Sequence, residues 1–244
     1  MTQVRRFRFV VRAACLLASV GSTAVVVVNP TSAAVVGPQP SALVAEAYSN
    51  AEQSGWVHEV VTGSISPSIR FTMVNDVGTT MGRQVTKFSD GGRDTLIAFE
   101  TRHRIYDRAN AKGLSDYQVT RDTSRYANQW MVDTPSNPTY ASDLYNTYLE
   151  SDFSRYVPTG PLSFGPIKVW HGQRVREIIG TTPRAMTGYP RGIDTNLYVV
   201  TSKAGVSLPV ELTVAVPRLA FTVTWTSWGR SVTLTAPVHT IPHP

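Results

Sequence analysis

Five histidines, His58, His103, His171, His239 and His243, are the side chains best suited to acid–base or metal chemistry. Their spacing argues against both. His239 and His243 stand four apart, which on a helix would aim two imidazoles at one ion, but they lie in the proline-bound tail His239-Thr240-Ile241-Pro242-His243-Pro244. A serine hydrolase would need Gly-x-Ser-x-Gly; the nearest text, Leu162-Ser163-Phe164-Gly165, lacks the first glycine. Gly91-Gly92 has no Lys-Ser/Thr after it and so reads as a hairpin turn, not a phosphate cradle. Asp90, Asp94 and Glu100 cluster, but turns and strand alternation account for them as solvated positions. The residues predict no enzyme, no catalytic group, no metal and no cofactor.

Five tryptophans remain, Trp56, Trp130, Trp170, Trp225 and Trp228, all in or beside extended segments. Such residues either pack a core or meet an apolar ligand. The segments that must position them follow a period of two. Leu208, Val210, Leu212, Val214 and Val216 alternate with polar residues, as do Leu219, Phe221, Val223 and Trp225, and then Val232, Leu234 and Ala236. The breaks at Pro217-Arg218 and Trp228-Gly229-Arg230 are too short for a crossover helix, so these runs predict three antiparallel neighbours with one apolar and one hydroxyl-rich face.

The rest of the chain extends this plan. Ser41 to Tyr48 predicts an amphipathic helix stopped at Gly55, with Leu43, Ala47 and Tyr48 on its apolar stripe. A meander follows: Trp56–Thr62, Ile69–Val74 with Phe71 and Met73 on one face, Met81–Phe88, Thr95–Glu100 with Ile97 and Phe99 on one face, and Arg102–Arg108. Residues 109–165 break the alternation and predict one or two short helices and loops laid over the sheet as a lid. A second array opens at Ile167–Trp170 and continues through Gln173–Ile179 and Asn196–Thr201. The tail from His239 predicts a frayed end.

The first 34 residues read as an export signal. Arg5, Arg6, Arg8 and Arg12 form a basic region, Ala13 to Val28 an apolar run, and Thr31-Ser32-Ala33-Ala34 a small-residue cleavage site. An uncleaved anchor and a twin-arginine route through Arg5-Arg6 stay open. Cys15 sits near the start of the apolar run, with the long apolar stretch after it, the wrong place for a lipid-bearing cysteine. The formal charge is +6, but outside the leader 19 Lys and Arg face 17 Asp and Glu, which argues against a nucleic-acid partner. Residues 35–244 are then expected to form a single domain, large enough to bury its own core and free of disulfides.

Three texts point to one group. Trp170-His171-Gly172-Gln173-Arg174-Val175-Arg176-Glu177-Ile178-Ile179-Gly180 resembles the Gly-Gln-x-Val-x-x-Ile-x-Gly strand of exported half-barrel proteins. Asn196-Leu197-Tyr198-Val199 with Gly205 to Val210 resembles the hairpin after it, and Phe221 to Ala236, passing through Trp228-Gly229, resembles the last hairpin. The chain thus resembles the LolA-like and LppX/LprG-like lipid- or lipoprotein-carrier superfamily of actinobacterial envelopes. The match is reasonable over 165–237, looser over 41–108, and absent by text in the insertion. The resemblance implies an α+β fold: a strongly curved antiparallel half-barrel sheet with covering helices, holding the acyl chains of a lipid or acylated protein in its hollow. It implies ligand contact by Phe71, Met73, Ile97, Phe99, Leu212, Val214, Phe221, Val223 and Trp225. Arg102, Arg104, Arg108, Arg121 and Arg125 would lie near the rim, either meeting an anionic headgroup or pairing with Asp107, Asp116 and Asp122. Lacking an anchoring cysteine, the protein is expected to be secreted or free in the envelope, with only transient membrane contact. The alternative is an envelope sensor or protein-interaction module with a filled core and an envelope protein partner.

Overall fold

The structure is a computed structural model that describes residues 39–117, 122–137, 140–145, 147–148, 156–182, 193–201, 205–216 and 219–243. The export signal expected at 1–34 lies outside these residues, as does Arg121.

Helix α1 (Pro40–Gln53) opens the described chain. Pro40 suits its first turn, where the missing N–H would have no intrahelical partner. Ser54 closes the other end by donating its Oγ hydrogen to the Ala51 carbonyl at 2.6 Å, and Gly55 follows with φ of 75°. The buried stripe is Val44, Ala47, Tyr48 and Ala51, with Leu43 only half-buried, one position round from the expected stripe.

Five antiparallel strands follow: β1 (Trp56–Ser66), β2 (Ile69–Gly78), β3 (Met81–Phe88), β4 (Arg93–Phe99) and β5 (Arg104–Ala109). The insertion supplies α2 (Ala111–Tyr117), α3 (Thr123–Tyr126), β6 (Met131–Asp133) and α4 (Tyr140–Tyr145). Asn110 starts α2 by accepting the Gly113 amide at 2.8 Å, and Asp122 starts α3 by accepting the Arg125 amide at 3.2 Å. The second array is β7 (Thr159–Trp170), β8 (Gln173–Thr182), β9 (Ile193–Thr201), β10 (Ser207–Val216) and β11 (Leu219–Thr226).

All strands join one open, curved sheet in the order β12-β6-β5-β4-β3-β2-β1-β11-β10-β9-β8-β7, where β12 is Ile241–Pro242. The two arrays meet where β1 pairs with β11, His58 opposite Thr226 through Ser64 opposite Ala220. The α+β half-barrel with covering helices is thus the architecture of the molecule.

Three sequence expectations fail. Val232 to Ala236 alternates but forms no strand: after β11 the chain leaves the sheet, because β11 already has β1 and β10 on its two edges. The tail is not frayed. Ile241 pairs in parallel with Met131 and packs beside Ala109, Leu114 and Met131. Val210 leaves the row of Leu212 and Val214, since the register of β10 on β9 shifts between Pro209 and Glu211; Val210 packs on the far face with Val175 and Tyr198.

Candidate functional site

Residues directly opposite in a ladder share a face, so the register assigns each side chain to one side of the sheet. The face under the helices has three apolar regions, one of them Ala109 and Met131 under Leu114 of α2 at the β5–β6 end; the other two lie under α1 and α4. In the larger, Val44, Ala47, Tyr48 and Ala51 of α1 sit on Val57, Val61, Phe71, Val77, Ile178, Leu197, Val199, Leu212, Val214, Phe221, Val223 and Trp225. In the smaller, Tyr140 and Leu144 of α4, with Tyr148, sit on Leu96, Ala98 and Ile105. Helix α1 packs chiefly on β10 and reaches β7, whereas α2 and α4 pack toward β4 and β5. Between these helices β2 and β3 carry Met73 and Phe88, which are only half-buried at the margin of the larger region.

Polar groups sit within this covered face. Glu59 is fully buried; Trp225 Nε1 donates to its Oε2 at 2.9 Å and Asn75 Nδ2 to its Oε1 at 2.6 Å. The indole of Trp225 meets the Tyr156 ring edge-on, centroids 5.8 Å apart. Tyr48 donates its hydroxyl hydrogen to the Tyr156 carbonyl at 3.0 Å. Burial, and secondarily the charge of Glu59, pushes the Tyr48 hydroxyl far above its ordinary pKa.

Seven of the nine residues implied as ligand contacts share this face: Phe71, Met73, Leu212, Val214, Phe221, Val223 and Trp225. Ile97 and Phe99 do not. Ile97 stands opposite Arg83 and Tyr106, and Phe99 opposite Met81 and Arg104, on the far side of the sheet. Their neighbours Leu96 and Ala98 take the covered positions. Alternation showed that 97 and 99 share a face, but β4 is apolar on both sides, so sequence could not say which face met the helices. The arginines expected at the rim also move. Arg104 and Arg108 point to the far face with Tyr106; Arg102 stacks on Phe99 at 5.1 Å, Arg108 on Trp130 at 4.6 Å, and Arg125 on Tyr126 at 5.3 Å. Asp116 pairs instead with Lys112 at 2.6 Å.

The far face carries a polar row that sequence reasoning missed: Asp76 takes His58 Nδ1 at 2.9 Å and Arg83 at 2.6 Å. It also carries a cavity of about 520 Å³, open to solvent at the ends of β1, β2, β10 and β11. By register Thr62, Ser64, Arg70, Thr72, Thr213, Ala220 and Thr222 of its lining belong to this hydroxyl-rich face, while Gly63, Phe71, Val214 and Phe221 belong to the covered one. The hollow expected behind the apolar rows is therefore not this cavity. Over Leu212, Val223 and Trp225, none more than 1 % exposed, the space is taken by α1.

Four of the five histidines have structural places, and His239 is exposed. His103 and His171 occupy left-handed turn positions, His58 pairs with Asp76, and His243 lies 3.2 Å from Asn137. Among the described residues no three His, Cys, Asp or Glu side chains gather as a metal site. Among them, too, no helix is long and apolar enough to cross a membrane.

The fold is similar to that of two solved structures. LprF from Mycobacterium bovis superposes with a TM-score of 0.55 over 82 % of this chain and 98 % of its own, at 14 % identity. The Mycobacterium tuberculosis lipoprotein LppX superposes with a TM-score of 0.51 over 80 % and 99 %, again at 14 % identity. This chain has an LppX/LprG-like fold. No protein-family model and no curated protein matches it by sequence. In the LppX/LprG-like fold of this chain, α1 is the element that roofs the larger apolar region, and α4 the smaller.

Proposed function

We propose that this protein is an exported, non-enzymatic binding protein that holds the acyl chains of a lipid or acylated protein against the helix-covered face of its sheet. The observation that supports this most is a continuous apolar lining. It runs from Trp225 and Val223 through Leu212, Val214, Phe221 and Phe71 to half-buried Met73 on β2 and Phe88 on β3. Each methylene that leaves water there gains about 0.8 kcal/mol, so a long acyl chain repays an outward shift of α1. The fold shared with LprF and the lipoprotein LppX agrees with the reading, as do the basic leader and its apolar run.

One observation favours the second reading, an envelope sensor or protein-interaction module with a filled core. Leu212, Val223 and Trp225 are already sealed by Val44, Ala47, Tyr48 and Ala51. The two readings part on a direct test. Purified protein is extracted with organic solvent for mass spectrometry, and separately titrated with a fluorescent fatty-acid probe, with Met73→Glu as the comparison. The carrier reading expects co-purified acyl lipid and saturable probe binding that Met73→Glu weakens about tenfold or more. Absence of both lipid and probe binding refutes the carrier and leaves the interaction module.

A further inference from the structure

The β7–β8 hairpin, at the free end of the sheet, has two unlike faces. On the far side the two charged tips are paired with each other. Lys168 Nζ meets Glu177 Oε1 at 2.9 Å and the Tyr198 hydroxyl at 3.3 Å, and Trp170 Nε1 donates to Glu211 at 3.0 Å. The side that α1 occupies elsewhere is different. Phe164 stands opposite Ile178, Ile167 opposite Arg176, and Val169 opposite Arg174. A register shift between Phe164 and Ile167 brings residues three apart onto one face. Leu162 marks the limit of the packed core; beyond it Phe164, Ile167 and Val169 are 37, 45 and 75 % exposed. The Arg176 guanidinium lies over the Phe164 ring at 5.2 Å, and Arg174 makes no hydrogen bond or ion pair among the described residues.

Three large apolar side chains and two cations with no acid among them form an amphipathic tip. Apolar patches of this kind, rimmed by charge, mark contact surfaces. Strand addition at this edge is disfavoured: Pro161 and Pro166 lack the N–H a new strand would use, and the register shift bends the strand. A second copy docked through the same patch by a two-fold axis would bring Arg174 and Arg176 close to their own equivalents. An anionic bilayer surface satisfies both halves. Apolar side chains enter the boundary between headgroups and acyl chains, while guanidinium groups donate paired hydrogen bonds to lipid phosphates.

We propose that the β7–β8 hairpin is a membrane-docking element, inserting Phe164, Ile167 and Val169 into an anionic bilayer surface with Arg174 and Arg176 on its phosphates. This adds docking to the carrier reading without resting on it: ligand capture is read by the acyl probe, docking by vesicles. The full chain is floated with vesicles of phosphatidylglycerol and phosphatidylcholine, and with phosphatidylcholine alone. Wild type is expected to float with the anionic vesicles and less as salt rises. The double variant Ile167→Asp/Val169→Asp should bind about tenfold more weakly or worse, and Arg174→Gln/Arg176→Gln about tenfold more weakly with a flatter salt dependence. Both variants share the wild-type N-terminus, so binding by the leader cancels. Both lie at or near the surface, so circular dichroism should be unchanged. Equal flotation of wild type and the aspartate variant overturns the proposal. So does loss of self-association in that variant without any wild-type vesicle binding, which would make the patch a protein contact.

Discussion

Replacing Trp225 with phenylalanine isolates the polar contact at the heart of the covered face. Phenylalanine keeps a six-membered ring against Tyr156 and Val223 but removes the indole N–H that donates to Glu59 at 2.9 Å. Both residues are within 1 % of complete burial, so no water replaces the lost donor. A hydrogen bond to a carboxylate contributes about 1.5–3 kcal/mol, and the missing part of the indole adds about 1 kcal/mol of lost packing. Trp225→Phe is therefore expected to destabilise the fold by about 3 kcal/mol. Urea unfolding followed by far-ultraviolet circular dichroism, which does not depend on the tryptophan removed, reads this as a midpoint about 1 M lower at unchanged slope. A cycle with Glu59→Gln should return a coupling of about 1–2 kcal/mol, smaller than the full bond because Asn75 still donates to Glu59. A Trp225→Phe protein within 0.5 kcal/mol of wild type, in order-of-magnitude terms the scatter of a neutral substitution, would refute the account.

Two further outcomes follow from the same face. A Cβ on Gly82 would run into the Thr147 carbonyl, and Thr147 is held by the hydrogen bond its N–H donates to the Leu144 carbonyl at 3.1 Å, so Gly82→Ala should cost about 2 kcal/mol in urea unfolding. Tyr48 keeps its proton in the fold well above the unfolded value, so above about pH 10 the folded state binds more protons than the unfolded one. Stability should therefore fall by about 1.4 kcal/mol per pH unit there. The alkaline loss should disappear in part with Tyr48→Phe, and tyrosinate absorbance at Tyr48 should rise only on unfolding.

The period-two rows made β10 and β11 readable as antiparallel neighbours, because a strand half-buried on one face must alternate. They also found Leu212, Val214, Phe221, Val223 and Trp225 as one row. The same rule misplaced Val210, where one extra residue in β10 reverses the alternation, and it invented a strand at Val232–Ala236, which has no place beside β11 because β1 and β10 take both its edges. It could not choose a face for Ile97 and Phe99, since β4 buries Leu96 and Ala98 on one side and Ile97 and Phe99 on the other. Nor could it anticipate the Glu59–Trp225 bond, whose partners are 166 residues apart.

Local pattern in the amino-acid order determined that this is a β-rich chain with a basic and then apolar N-terminal stretch, an amphipathic helix and a helical interruption, because composition, turns and alternation are short-range properties. Tertiary structure decided where β1 and β11 join, which face the helices cover, and that α1 occupies the space over Leu212, Val223 and Trp225. Those are long-range pairings, fixed by which apolar surfaces meet when the chain closes on itself, and a period of two carries no record of that choice.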